Sequence, residues 1–169
     1  MLIQGLKFIS NHKHVDSRGS FERIFDKELQ NYEFEIQQVN LSNNPRKGTL
    51  RGLHFQKEGP AEHKFMKLNF GSIYIAIIDL RESSETYLNV YQKKIINENE
   101  LTIFIPSGCA TGWLTLENNT QITYLMTSRF QDCKYGGYRF DDPQFSIHWP
   151  EDPIIVSKTD LHWPKFKSE

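Results

Sequence analysis

Residues Thr49-Leu50-Arg51-Gly52-Leu53-His54-Phe55-Gln56 set a guanidinium, an imidazole and a carboxamide among apolar neighbours. Free imidazole titrates near neutrality, at about 6.5, so His54 can act as a general base or acid at physiological pH. Side chains alternate along a strand, which puts Leu50, Gly52, His54 and Gln56 on one face and Arg51, Leu53 and Phe55 on the other. Arg51 and His54 can therefore serve one site only if the strand is bulged. Gly52, lacking a Cβ, is the residue best able to allow that. Taken alone, a strand histidine is more often a hydrogen-bonded core residue than a catalyst.

Other polar residues invite the same double reading. Gln38 and Asn40 share a strand face and are either solvated or turned toward a ligand. Lys64 projects with Met66, Leu68 and Phe70, so its ammonium either reaches water from a strand end or enters a polar pocket. Tyr124, on a face with Ile122 and Met126, has the pattern of a packed phenol with a satisfied hydroxyl. Asp160 sits in Ser157-Lys158-Thr159-Asp160, a capping-box spacing in which its carboxylate closes the start of a short helix. His12 and His14 have the spacing of a two-histidine metal clip. A transition metal usually takes three or more protein ligands, so a solvated loop is the better reading of that pair.

The elements that must position these groups are strands. Leu2 to Ile9 reads as an opening strand and Asn11 to His14 as a polar connection; Asp16-Ser17-Arg18-Gly19 is a turn bearing an exposed cation. Asp26 can cap a short helix through Gln30. Phe34 to Ser42, Lys64 to Phe70, Ile73 to Leu80, Tyr87 to Ile96, Leu101 to Ile105, Cys109 to Leu116 and Thr120 to Thr127 follow as strands. Gly, Pro and Asn punctuate them, and hardly a helix lies between. That pattern predicts an all-β sandwich or jelly roll.

At 169 residues the chain fits a single domain, 1–169, large enough to bury a core without disulfides or a metal. Net charge is −1 with scattered Lys and Arg, which leaves no electrostatic footprint for nucleic acid or an anionic membrane. The two cysteines, Cys109 and Cys133, lack zinc-site spacing and read as reduced thiols. Residues 1–10 carry Gln4 and Lys7 and no uninterrupted apolar run, so neither a signal peptide nor a membrane span is expected, and the location expected is cytoplasmic.

Arg51-Gly52-Leu53-His54-Phe55-Gln56 resembles the signature of the nucleotide-diphospho-4-keto-6-deoxysugar epimerases. The resemblance runs in register through Asp16-Ser17-Arg18-Gly19, Gln38-Val39-Asn40, Asp79-Leu80-Arg81, Ile105-Pro106-Ser107-Gly108, Asp142-Pro143 and Trp149-Pro150. It implies a cupin-type jelly-roll barrel with short peripheral helices, and C3/C5 (or C3-only) epimerisation of a nucleotide-diphosphate sugar for surface polysaccharide. It implies a homodimer and no cofactor or metal, since the chemistry is proton transfer through an enolate. His54 would be the base, oriented by Asp160, and Tyr124 the acid on the opposite face of the sugar. Lys64 and Arg51 would hold the developing oxyanion and the diphosphate; Arg18 would reach the pyrophosphate, often across a dimer contact; Gln38 and Asn40 would face the ligand.

Departures from the family pattern are equally informative. Thr111 stands where the family usually has histidine and Cys109 where it has phenylalanine. Ile75 replaces a buried Asp, and a Tyr-x-Pro-x-x-Glu segment becomes Phe130-Gln131-Asp132-Cys133-Lys134-Tyr135. The first changes are expected near the sugar and the last near the nucleotide. They point to a retained epimerase with a changed substrate, such as a different base or a 4-keto heptose. Rival readings are a sugar ketoisomerase, a non-catalytic sugar-nucleotide-binding cupin, and a metal-dependent cupin oxygenase. The last needs a His-x-His pair joined by a further Glu and His on adjoining strands.

Overall fold

The computed structural model describes residues 2–26, 33–97 and 101–167. Its strands are, in chain order, β1 (Lys7–Ser10), β2 (Lys13–Asp16), β3 (Gly19–Glu22), β4 (Gln38–Asn44), β5 (Thr49–Glu58), β6 (Lys64–Phe70) and β7 (Ser72–Asp79). There follow β8 (Val90–Ile96), β9 (Leu101–Ile105), β10 (Cys109–Thr115), β11 (Thr120–Met126), β12 (Lys134–Gly137) and β13 (Ile155–Val156), then a helix α1 (Lys158–His162). Two 3-10 turns, Phe130–Asp132 and Pro143–Phe145, complete the regular structure among the described residues. One sheet has the order β1-β9-β6-β11-β4; a second has β12-β5-β10-β7-β8 with β13 added beside β5; β2 and β3 form a separate ribbon. All pairings are antiparallel except β13 with β5. The all-β jelly-roll expectation holds, with one five-residue helix at the periphery.

Three apolar layers explain which residues became strands. Met66 and Leu68 of β6, Ile73, Ile75 and Ile77 of β7, Ile103 and Ile105 of β9, and Ile122 of β11 meet between the two sheets. On the outer face of the second sheet, Leu53, Ala76, Ile78 and Ala110 lie under Phe145, with Tyr138, Trp149 and Phe166 packed alongside. Because the C-terminal segment covers that face, β7 is buried on both sides, which is why it reads as a continuous apolar run rather than an alternation. The outer face of the first sheet carries Phe65, Phe104 and Leu125 beneath Ile24, Phe25, Phe34 and Ile36. Lys67, on that outer face of β6 and only 3% exposed, is paired with Glu22 of the ribbon at 2.7 Å.

Several boundaries differ from expectation. The opening strand begins at Lys7, not Leu2: Gly5 takes φ +81° and the Leu6 amide closes a turn on Ile3 O at 3.1 Å, which drops Ile3 and Leu6 into the core. His14 lies in β2, so part of the expected connection is strand. β4 starts at Gln38 because Phe34 and Ile36 are spent covering the outer layer. The helix expected after Asp26 lies outside the described residues. His12 and His14 line a separate depression with Phe21, Arg23 and Asp26, and among the described residues no three His, Cys, Asp or Glu side chains converge on a common point.

Candidate active site

The signature strand is bulged where its glycine predicts. Along β10, Thr111 pairs with His54 and Trp113 with Arg51, so Gly52 and Leu53 of β5 stand opposite the single residue Gly112. Gly52 has φ +126°, and a Cβ there would lie 2.4 Å from Gly112 Cα and 2.8 Å from Thr111 O. No other residue fits. The extra residue resets the alternation. Arg51 and His54 both reach one open cavity of about 410 Å³, while Leu53 is driven into the outer apolar layer.

His54 is held from behind. Its Nε2 lies 2.6 Å from Asp160 Oδ1, which also accepts from Trp163 Nε1 at 3.2 Å; Asp160 Oδ2 accepts from the Gly52 amide at 3.3 Å. Burial pushes the Asp160 carboxyl up, but the His54, Gly52 and Trp163 contacts outweigh it and hold it below the usual carboxylate range. The His54 side chain is 42% exposed and that of Asp160 only 4%, so the ring is open to a ligand and its orienting carboxylate is not. With Nε2–H committed to Asp160, Nδ1 carries the lone pair. The capping-box reading of Asp160 is half right. Ser157 caps α1, but through the Asp160 amide, which donates to Ser157 Oγ at 3.0 Å; the carboxylate is free to turn toward β5.

Tyr124 comes from β11, in the opposite sheet, and lines the same cavity. Its hydroxyl accepts from Trp113 Nε1 at 2.6 Å. An indole N–H can only donate, so the phenol keeps its own hydrogen for another acceptor. Burial pushes the phenol well above its ordinary range, against smaller opposing effects of Trp113 and the Arg51 charge, and it stays protonated at neutral pH. Lys64, at the start of β6, also lines the cavity, as do Asn40 and Thr111. Thr111 Oγ1 is buried without a hydrogen-bond partner among the described residues, a polar atom at the cavity wall with an unmet requirement. Arg51 is steadied by Asn44 Oδ1 at 3.3 Å and lies 5.9 Å from the Trp113 ring.

Four of the expected residues lie away from the cavity of their own chain, among them Arg18, whose expected reach is across a dimer contact. Arg18 is on the β2–β3 ribbon, 88% exposed and paired with Asp16 at 2.6 Å, outside the cavity. Gln38 does not line it either: its amide is spent on Asn40 Oδ1 and on the Phe130 backbone N–H, each at 2.9 Å. Cys109 and Ile75 face the space between the sheets, as the cavity residues do, but they sit where that space is filled by packed apolar side chains, not on the cavity wall. Conversely, Trp113, Ser42 and Met126 line the site without having been singled out. For Trp113 the signal was available: it follows Thr111 by two on one strand, and so shares its face.

A two-sheet β-barrel with an imidazole–carboxylate pair on one wall and a protonated phenol on the other defines a cupin-type barrel equipped for proton transfer. Comparison with known proteins specifies the class. The family model described as dTDP-4-dehydrorhamnose 3,5-epimerase matches residues 1–168. A relative of that name from Methanothermobacter thermautotrophicus is 33% identical, covering 95% of this chain and 89% of its own. Among crystal structures, the dTDP-4-dehydrorhamnose 3,5-epimerase of Bacillus anthracis with TDP and PPi bound superposes with a TM-score of 0.86 at 29% identity, covering 96% of this chain and 94% of its own. An epimerase from Legionella pneumophila in complex with dTDP-4-keto-L-rhamnose does so with a TM-score of 0.86 at 25% identity over 99% and 97% of the two chains. The chain belongs to the dTDP-4-dehydrorhamnose 3,5-epimerase family and is an enzyme of the epimerase class of isomerases.

Proposed function

We propose that the chain inverts C3 and C5, or C3 alone, of a nucleotide-diphospho-4-keto-6-deoxysugar, for precursors of surface polysaccharide. The observation that carries this reading is that His54, backed by Asp160, and Tyr124 approach one cavity from opposite sheets. A hydrogen next to a ketone is acidic only if the resulting enolate is stabilised. His54 Nδ1 removes it, the imidazolium is balanced by Asp160, and the electron pair moves onto the C4 oxygen beside the Lys64 ammonium. Tyr124 then gives its proton to the other face of the same carbon, and the two groups reset by exchange with solvent. Each transfer is general acid–base chemistry that a positioned side chain accelerates by roughly 10²–10⁴-fold. The steps need no metal or redox cofactor.

Arg51 meets the diphosphate from the same wall. The bacillus relative, which holds TDP and PPi, supports a nucleotide-diphosphate ligand here. Thr111 in place of the family's histidine leaves a shorter hydroxyl beside the sugar, which favours a substrate other than the rhamnose precursor, a 4-keto heptose included. The working unit is a homodimer in the cytoplasm. Supporting that, the edge strand β4 exposes Val39 and Leu41, the ribbon exposes Val15 and Phe21, and Arg18 needs a neighbouring cavity to act on. Incubation with NDP-4-keto sugars in deuterated water, with NMR location of the label, tests the reading. Deuterium at C3 and C5, or at C3 alone, supports it; tight binding with no label marks a non-catalytic binder, and a displaced carbonyl marks a ketoisomerase.

A further inference from the structure

We infer that Glu62 is the positioning residue for Lys64, a buried carboxylate that sets where the ammonium meets the sugar's carbonyl oxygen; this rests on the function proposed above and adds a residue to it. The Glu62 side chain is 0% exposed and is not part of the cavity wall, whereas Lys64, 14% exposed, is. Glu62 is fastened on its other sides. Its Oε2 accepts from the Tyr135 hydroxyl, and its amide donates to Gln56 Oε1 at 3.0 Å. Gln56 in turn donates to Pro60 O at 2.6 Å and Cys133 Sγ at 3.1 Å. Burial first, then the Glu62 carboxylate, push the Tyr135 hydroxyl far above its ordinary range, so it remains a donor.

What is left over is Oε1, which is buried and accepts no hydrogen bond among the described residues. The cation facing it is Lys64 Nζ, 3.5 Å away. A buried carboxylate oxygen with no donor is costly unless a charge compensates it. A charge-assisted hydrogen bond would close to about 2.8 Å. At 3.5 Å the lysine is therefore held by charge while its N–H groups stay available to another acceptor. That is the arrangement required to present an ammonium to an oxyanion that exists only during the reaction. Tyr135 also stacks on Phe130, centroids 5.2 Å apart and planes 12° from parallel, and Phe130 is on the cavity wall. A continuous set of contacts thus joins the wall to the lysine through Glu62.

Glu62→Gln keeps the shape and the acceptor for Tyr135 but removes the charge. Its rate of deuterium incorporation into an NDP-4-keto sugar should fall by about 10²-fold through kcat, the loss that misplacing a catalytic group produces, with KM within about threefold. Glu62→Asp, which keeps the charge, should recover part of it, and both variants should keep the wild-type fold by circular dichroism. Wild-type kcat in Glu62→Gln, or a loss confined to KM, overturns the inference. A second arm needs no turnover: in ¹⁵N-lysine protein, the Lys64 ammonium signal, assigned by its absence in Lys64→Met, should be sharp and exchange-protected and should vanish in Glu62→Gln. An unchanged signal overturns the inference; a wild-type protein inert toward every ketosugar overturns the proposed function, and the ammonium signal still decides the role of Glu62.

Discussion

At the scale of single residues, the site divides work between groups with opposed protonation. His54 presents a lone pair oriented by a buried carboxylate, and Tyr124 presents a proton that burial keeps on the hydroxyl at neutral pH, to be taken only by a stronger base such as an enolate carbon. Removing the imidazole in His54→Ala should lower kcat by roughly 10²–10⁴-fold and abolish deuterium wash-in at every position. Tyr124→Phe should lose inversion to a similar degree yet still wash in solvent deuterium with retention, since proton removal does not pass through the phenol. One NMR time course of each variant separates the two. Thr111 Oγ1 tells a different story. An unpartnered hydroxyl at the wall is worth about 1 kcal/mol once a ligand satisfies it, so Thr111→Ala should raise KM about fivefold with little change in kcat.

At the scale of elements, two short features decide whether these residues meet. The first is the bulge in β5. Without it Arg51 and His54 would face apart, and its glycine has backbone, not flexible side chains, within contact distance. Gly52→Ala should therefore cost at least about 2 kcal/mol in chemical denaturation and remove activity even in the fraction that folds, because the register behind His54 shifts. The second is α1, one turn of helix whose Ser157 cap sets the direction of Asp160. Ser157→Ala should cost about 1 kcal/mol, and it should lower kcat more than it moves KM, because what loosens is the carboxylate behind the base.

For the molecule as a whole, carboxylates that fasten the loop after β7 and the β2–β3 ribbon make stability depend on acid. Asp79 is buried, which pushes its carboxyl up, yet Arg81, Ser84 and Thr86 all donate to it and hold it far below the usual range. Glu22, under Lys67, is lowered as well, after burial is overcome. A carboxyl lowered on folding contributes stability that is complete above its unfolded value, about 4, and is lost as pH falls toward its folded value. Denaturation midpoints should thus be flat near neutrality and fall steadily below about pH 4. Asp79→Asn should be less stable at pH 7 and show a shallower acid decline; an unaltered slope would remove Asp79 from the account.

Much of this was legible in the residues alone. Alternation and turn chemistry are local, so most strands, the jelly-roll class and the need for a bulge at Gly52 could be read directly, and the motif around His54 carried the family. Position in the cavity was not legible for Gln38, Cys109 or Ile75, since a strand pattern tells which residues share a face but not where along that face the packed core gives way to the open site. Nor could it show that Trp113 meets Tyr124, that Tyr135 fastens the Glu62 carboxylate, or that the Asp160 carboxylate turns from its own helix to a histidine 106 residues away. Those meetings come from packing two sheets against each other and laying the C-terminal segment over one of them. Contacts across such distances are set by how layers bury one another, a property of the assembled barrel that no short stretch of chain encodes.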